Sequence, residues 1–169
     1  FAVSPETGVA RSVLDRLLPA MKPWLESAER AKATEDAKAA LRTLGARGIT
    51  LRGVRHDTLL YSYLLDPTQA NHTLEEVAGR RFNVQLSENA AERADVLGQV
   101  ARLLAPEVAE AGLERLYREM ELPLVPVLAA MEAVGVRVDV AELARLSEQL
   151  AGQIQALTAE IHSLCGAEF

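Results

Sequence analysis

Three aspartates, Asp36, Asp57 and Asp66, lie close together in the sequence, in the company of two histidines, His56 and His72. A divalent cation such as Mg2+ needs several carboxylate oxygens converging on one point, so this is the first place to look for metal chemistry. Each aspartate also has a plainer local role. Asp57 stands directly before an apolar helical stripe and reads as its N-cap. Asp66 precedes Pro67, a turn signal, and Asp36 reads as part of a solvated face. Lys38, Arg42, Arg47, Arg52 and Arg55 follow one another with no acid between them. Such a stretch is a candidate phosphate-contacting patch, set against a basic face that is merely solvated or paired with acids elsewhere. His162 is remote from the other histidines, and none of the three has ligand or triad spacing. Cys165 is the single cysteine, so neither an internal disulfide nor a cysteine-rich metal site can form.

Composition narrows the class. A chain of 169 residues suffices for one domain and a helical extension, and 49% hydrophobic with 25% charged residues is the balance of a folded protein rather than a disordered one. The formal charge of −6 argues against strong DNA binding by this chain alone, because phosphate neutralisation supplies most non-specific affinity. No apolar run reaches the ~18 residues of a membrane span. A lone cysteine fits a reducing, cytoplasmic setting, and a monomer without membrane partners is expected. Phe1 in place of a start methionine points to a piece of a longer chain.

The elements that must position these residues follow from periodicity. Phe1-Ala2-Val3 reads as a strand entering a turn at Pro5–Gly8. Val13 to Leu25 has helical spacing, with a break expected near Pro19 and Pro23. Ala31 to Leu44 reads as a second helix ended by Gly45 and Gly48, and Ile49-Thr50-Leu51 as a short strand. Asp57 caps a helix over Thr58 to Leu65, Thr73-Leu74-Glu75-Glu76 is a capping box, and Ser87 is the candidate cap of a longer helix through Leu104. Beyond Pro106 all reads as helix, interrupted at Leu122-Pro123 and Val134-Gly135, with Val136-Arg137-Val138 at most a three-residue strand. Asp139 caps the last helix, whose residues Leu143, Leu146, Leu150, Ile154, Leu157, Ile161 and Leu164 form a heptad-like seam, read as core-facing. Trp24, Tyr61, Tyr63 and Phe82 are not interleaved with basic residues and read as core rather than as base-stacking platforms. The expected organisation is a domain over 1–105 and a helical segment over 106–169.

Two segments resemble a known family. Lys32 to Pro67, with Asp36-Ala37-Lys38, Gly48-Ile49-Thr50-Leu51-Arg52-Gly53 and Asp57 to Pro67, is similar to the middle of the 3′–5′ exonuclease-type domain of bacterial family A DNA polymerases, the DNA polymerase I type. It looks closest to Bacillus- and Thermus-like members without proofreading. Leu116 to Phe169, with Glu119 to Leu128, Met131-Glu132, Gly135 to Asp139 and Gly166-Ala167-Glu168-Phe169, resembles the entry into the polymerase domain. The resemblance implies an α/β, RNase H-like fold, here partial, leading into an all-helical segment.

In active members of that family four carboxylates hold two metal ions and a tyrosine orients the attacking water. Two metals ~3.5–4 Å apart stabilise the attacking and leaving oxygens of an in-line displacement. The central Asn-x-x-x-Asp pattern falls on Asp36 and Ala40, so that carboxylate is missing. The late Tyr-x-x-x-Asp pattern falls on Asn89 and Arg93, placing a cation where an anion is needed. Ser4 and Glu6 loosely match the first pattern, Asp-x-Glu, but Ser4 lies too near Asp36 in sequence to leave room for the intervening strands. The resemblance thus implies a domain of a replication and repair polymerase that has lost exonuclease activity, with no catalytic or metal-binding residue of its own. The parent would require Mg2+, would contact DNA and would hold the polymerase domain in cis. Beside this reading stand a residual metal-dependent proofreading exonuclease and a helical protein-interaction module.

Overall fold

The computed structural model describes residues 2–4, 8, 10–12 and 17–166. The chain divides into two compact units, Phe1–Val134 and Gly135–Phe169. The first unit opens with an antiparallel ribbon of β1 (Ala2–Val3) and β2 (Arg11–Ser12). The expected Pro5–Gly8 turn lies mostly outside the described residues, as does the start of the helix expected from Val13. Helix α1 covers Leu18–Leu25. It runs through Pro23 without the expected break. Pro19 stands in the first turn, where a missing N–H costs nothing, and Pro23 forfeits only the bond back to Pro19.

The second helix expectation is corrected. Lys32–Thr34 is a strand, β3, and only Ala37–Gly45 is helical, as α2. The partner of β3 is β4, Val54–Asp57, which pairs with it in parallel. The strand expected at Ile49–Leu51 is therefore displaced along the chain. Ile49 and Leu51 are apolar because they are buried with Leu18, Leu25 and Leu44, not because they join a ladder. Lys32 begins β3 with its side chain turned inward. Its ammonium donates to the carbonyls of Ser27 (2.8 Å), Arg30 (2.9 Å) and Arg52 (2.8 Å) and lies 5.0 Å from the Trp24 ring centroid. Burial, and then the neighbouring Arg30 charge, push its pKa down. Gly53 faces the same loop at φ +73°, and a Cβ there would meet the Arg30 carbonyl oxygen at 2.5 Å. Only glycine fits that approach.

Helix α3 (Thr58–Leu65) begins at Asp57, and α4 (Leu74–Phe82) at Thr73, whose hydroxyl accepts from the Glu76 N–H. Helix α5 (Ala90–Glu110) begins at Asn89, not Ser87. The Asn89 side chain accepts from Ala91 N–H, while Ser87 accepts from the Asn89 N–H one step outside. It continues past Pro106 to Glu110. After α6 (Glu114–Leu116) a π turn, Tyr117–Glu121, leads straight into α7 (Leu122–Val134), so the interruption expected at Leu122-Pro123 does not occur. The widened turn sits over the carbonyl four residues ahead of Pro123, where its ring would otherwise clash. Tyr61, Leu74, Val77, Val100, Leu104, Val108 and Tyr117 form the main core. Of the aromatic residues read as core, Tyr61 is buried and Phe82 packs against the core, whereas Tyr63 and Trp24 reach the surface.

The second unit is α8 (Val140–Cys165), capped by Asp139 accepting from the Glu142 N–H and ended by Gly166 in the left-handed region. Val136–Val138 form no strand. Within this unit the seam from Leu143 to Leu164 is exposed, since α8 has no second helix of its own to pack against. Among the described residues, no helix is long and apolar enough to cross a membrane.

Candidate functional site

The four positions read from the family pattern fall on two helices. Asp36 is the N-cap of α2, its side chain accepting from the Ala39 N–H at 2.9 Å. Ala40 follows one turn later and lines a groove of about 590 Å³ together with Asp36, Glu35, Thr34, Trp24, Leu44 and, from α5, Leu97. The groove wall is mainly apolar, with the methyl group of Ala40 among its lining. Asn89 is used as the α5 cap. Arg93 sits one turn further along α5. Its guanidinium donates to Glu35 at 3.0 Å and also bonds Glu75 in the first turn of α4. Glu35 accepts in addition from the Leu74 N–H, at 3.0 Å. Ser4 donates to Asp95 of α5 at 3.1 Å; Glu6 lies outside the described residues.

The metals of an active exonuclease site do not fit this set. Among the described residues no three His, Cys, Asp or Glu side chains converge as a metal ion would require. Asp36, Asp57 and Asp66 each serve locally instead. Asp66 accepts from Thr68 and Gln69, which hold its pKa down. Asp57 is buried, and its carboxylate accepts from Leu60 N–H at the start of α3 (3.0 Å) and from Ala37 N–H at the start of α2 (2.7 Å). One side chain thereby satisfies orphan donors of two helices. Burial raises its pKa from 3.8 to about 6 against the opposing pull of those N–H bonds. The Asp57 N–H donates to the Tyr117 hydroxyl (2.9 Å), which donates to the Arg55 carbonyl (3.1 Å). Tyr117 packs on Tyr61 with ring centroids 4.4 Å apart, and Tyr61 shares a 2.8 Å hydrogen bond with His56. Burial lowers the His56 pKa and raises those of both tyrosine hydroxyls.

The basic stretch is dispersed. Lys38 and Arg42, one turn apart on α2, both bond Glu132 on α7, at 2.7 and 2.8 Å. The hydrogen bond from Lys38 is the main cause that holds the Glu132 pKa down, and it raises that of Lys38 in turn. Arg47 donates to the Thr43 carbonyl. The side chains of Arg52 and Arg55 are exposed. Sequence reasoning missed Glu35, Glu75, Glu132 and Tyr117, because their partners lie in other elements and leave no local pattern, and Lys32, whose partners are backbone carbonyls.

The family model described as "DNA polymerase I, ribonuclease H-like domain" matches residues 6–122. The chain belongs to that family. The expected α/β, RNase H-like fold with a helical continuation is therefore met. The DNA polymerase I of Geobacillus stearothermophilus is 33% identical over 190 aligned residues, covering 100% of this chain and 21% of that protein. The thermostable DNA polymerase I of Thermus aquaticus is 42% identical over 147 residues, covering 82% of this chain and 17% of that protein. A solved structure described as the POL domain of Pol1 from M. smegmatis in complex with DNA primer-template and dNTP superposes with a TM-score of 0.76 at 33% identity, covering 94% of this chain and 28% of that one. The chain spans about a fifth of the length of the polymerase relatives it matches.

Proposed function

We propose that this ribonuclease H-like domain is a catalytically silent scaffold within a DNA polymerase I that acts in replication and repair. The observation that carries the reading is the fate of α2. The helix bearing Ala40 in place of a metal-binding aspartate is fastened through Lys38 and Arg42 to Glu132 of α7, in the segment that resembles the entry to the polymerase domain. Two of the five basic side chains that could have met phosphate thus hold protein instead, and Arg47 donates to the Thr43 carbonyl of α2. Arg52 and Arg55, exposed on the surface, are the part of the stretch that fits contact with DNA in the parent polymerase.

Hydrolysis of a 3′ end by the two-metal route needs several carboxylates converging on the ions. Ala40 offers none and Arg93 offers a positive charge. Mg2+ would serve the parent at its polymerase site, and DNA would be bound by the parent as a whole. The test is release of nucleotides from a 3′-labelled single strand with Mg2+ or Mn2+, by the full-length parent and by this chain. The scaffold reading expects no metal-dependent release from either. Release by the parent that disappears when an upstream Asp-x-Glu is mutated would replace it with a working proofreading domain.

A further inference from the structure

We infer that the outer face of α7 is the surface on which the polymerase part of the parent chain seats, so that α7 is held between that part and α2. Among the 13 residues of α7, Glu132 is the only charged one. A helix that is apolar all round belongs in an interior. Here only one side is covered. Val125 and Ala129 are buried, and Glu132 is fastened to Lys38 and Arg42 of α2. On the opposite side Leu124, Val127, Leu128, Met131 and Val134 are exposed, and Met120 stands exposed one turn before Leu124. Steps of three and four residues put them in one stripe, and a contiguous apolar stripe on a surface marks an interface. A helix of this length offers a stripe ~20 Å long, too short for the ~1,200 Å² that two free chains need for a stable pair. Two copies of a chain with a net charge of −6 would also repel each other. A partner joined in cis needs less area, because the linkage supplies an effective concentration in the millimolar range. The polymerase relatives supply such a partner, since this chain spans about a fifth of their length.

This surface rests on the scaffold reading of the domain and names the partner that α7 meets, but its readout is methionine oxidation rather than nucleotide release, so the two can fail separately. Conversion of a methionine to its sulfoxide requires that the oxidant reach the sulfur. Met120 and Met131, each 63% exposed, report on the stripe, and Met21, packed against the cluster of Leu18, Leu25 and Leu44, reports on the folded interior. The experiment treats this chain and the full-length parent with dilute hydrogen peroxide, without DNA and at two protein concentrations, and follows each methionine by mass spectrometry. In the chain, Met120 and Met131 are expected to oxidise faster than Met21, at the same rate at both concentrations. In the parent, both are expected to slow about tenfold, again at both concentrations, with Met21 unchanged. Rates for Met120 and Met131 that are equal in chain and parent would overturn the inference. Slow oxidation in the chain itself would overturn it too: a rate that falls with concentration would assign the stripe to a second copy, and a rate independent of concentration would mean that the chain covers its own stripe.

Discussion

Two corners of the first unit treat their polar groups in opposite ways. At the Asp57–Tyr117 corner, a buried carboxylate and a buried hydroxyl tie the starts of α2 and α3 to β4 and to the turn before α7. At the Glu35–Arg93 corner, partly solvated ion pairs join Arg93 to Glu35 and Glu75, and Glu35 lines the mainly apolar groove that holds the Ala40 methyl group. The first corner is built from hydrogen bonds in a dry interior, where an unpaired partner is costly. The second is built from surface charges, where each pair contributes little and exchange is tolerated. The difference teaches where the domain can change. The corner that determines the path of the chain has no slack, whereas the corner at Arg93 is held by charges that solvent can reach.

The largest effect expected on this comparison comes from pH. The Asp57 pKa is raised from 3.8 to about 6 in the folded chain. The folded state therefore holds the proton more tightly, and this contribution to stability is greatest below about pH 4 and is lost as pH rises through about 6. The shift corresponds to about 3 kcal/mol, read as the difference between wild type and Asp57→Asn in urea unfolding from pH 4 to pH 7. A wild type whose stability rises relative to Asp57→Asn over that range would reverse the sign. Next comes Tyr117→Phe, which takes the hydroxyl partner from the buried Asp57 N–H and removes the bond to the Arg55 carbonyl, and is expected to cost about 2–3 kcal/mol. An effect under about 0.5 kcal/mol would show the two corners to be alike. Gly53→Ala is expected to cost about 2 kcal/mol, since the new Cβ would run into the loop carbonyls at a left-handed backbone position. The loss should appear as a lower denaturant midpoint with an unchanged slope.

The sequence made the helix starts readable and left the long-range pairing hidden. Asp57, Thr73 and Asp139 were each recognisable as caps because a cap is a contact within three residues. Strand β3 was not, since Lys32-Ala33-Thr34 continues the apolar spacing of α2 and becomes a strand only by pairing with Val54–Asp57, some twenty residues on. Ile49 and Leu51 misled for the related reason that a buried loop and a short strand look alike in composition. At the site, that Ala40 and Arg93 offer no carboxylate was plain in the sequence. Their consequences were not, because Glu35, Glu75 and Glu132 reach these helices from elements distant in sequence. A basic run such as Lys38 to Arg55 reads as one patch only while its partners are unseen.

The measurement that bears most directly on the scaffold role is hydrogen exchange of the α2 amides in the chain and in Glu132→Gln. Lys38 and Arg42 reach no further than Glu132 on α7, so if α2 serves to hold that helix, the substitution should speed exchange in α2 and in α7 together and leave α3 and α4 unchanged. Equal protection of α2 and α7 in both proteins would contradict it, and would leave α2 a helix without the structural task assigned to it here.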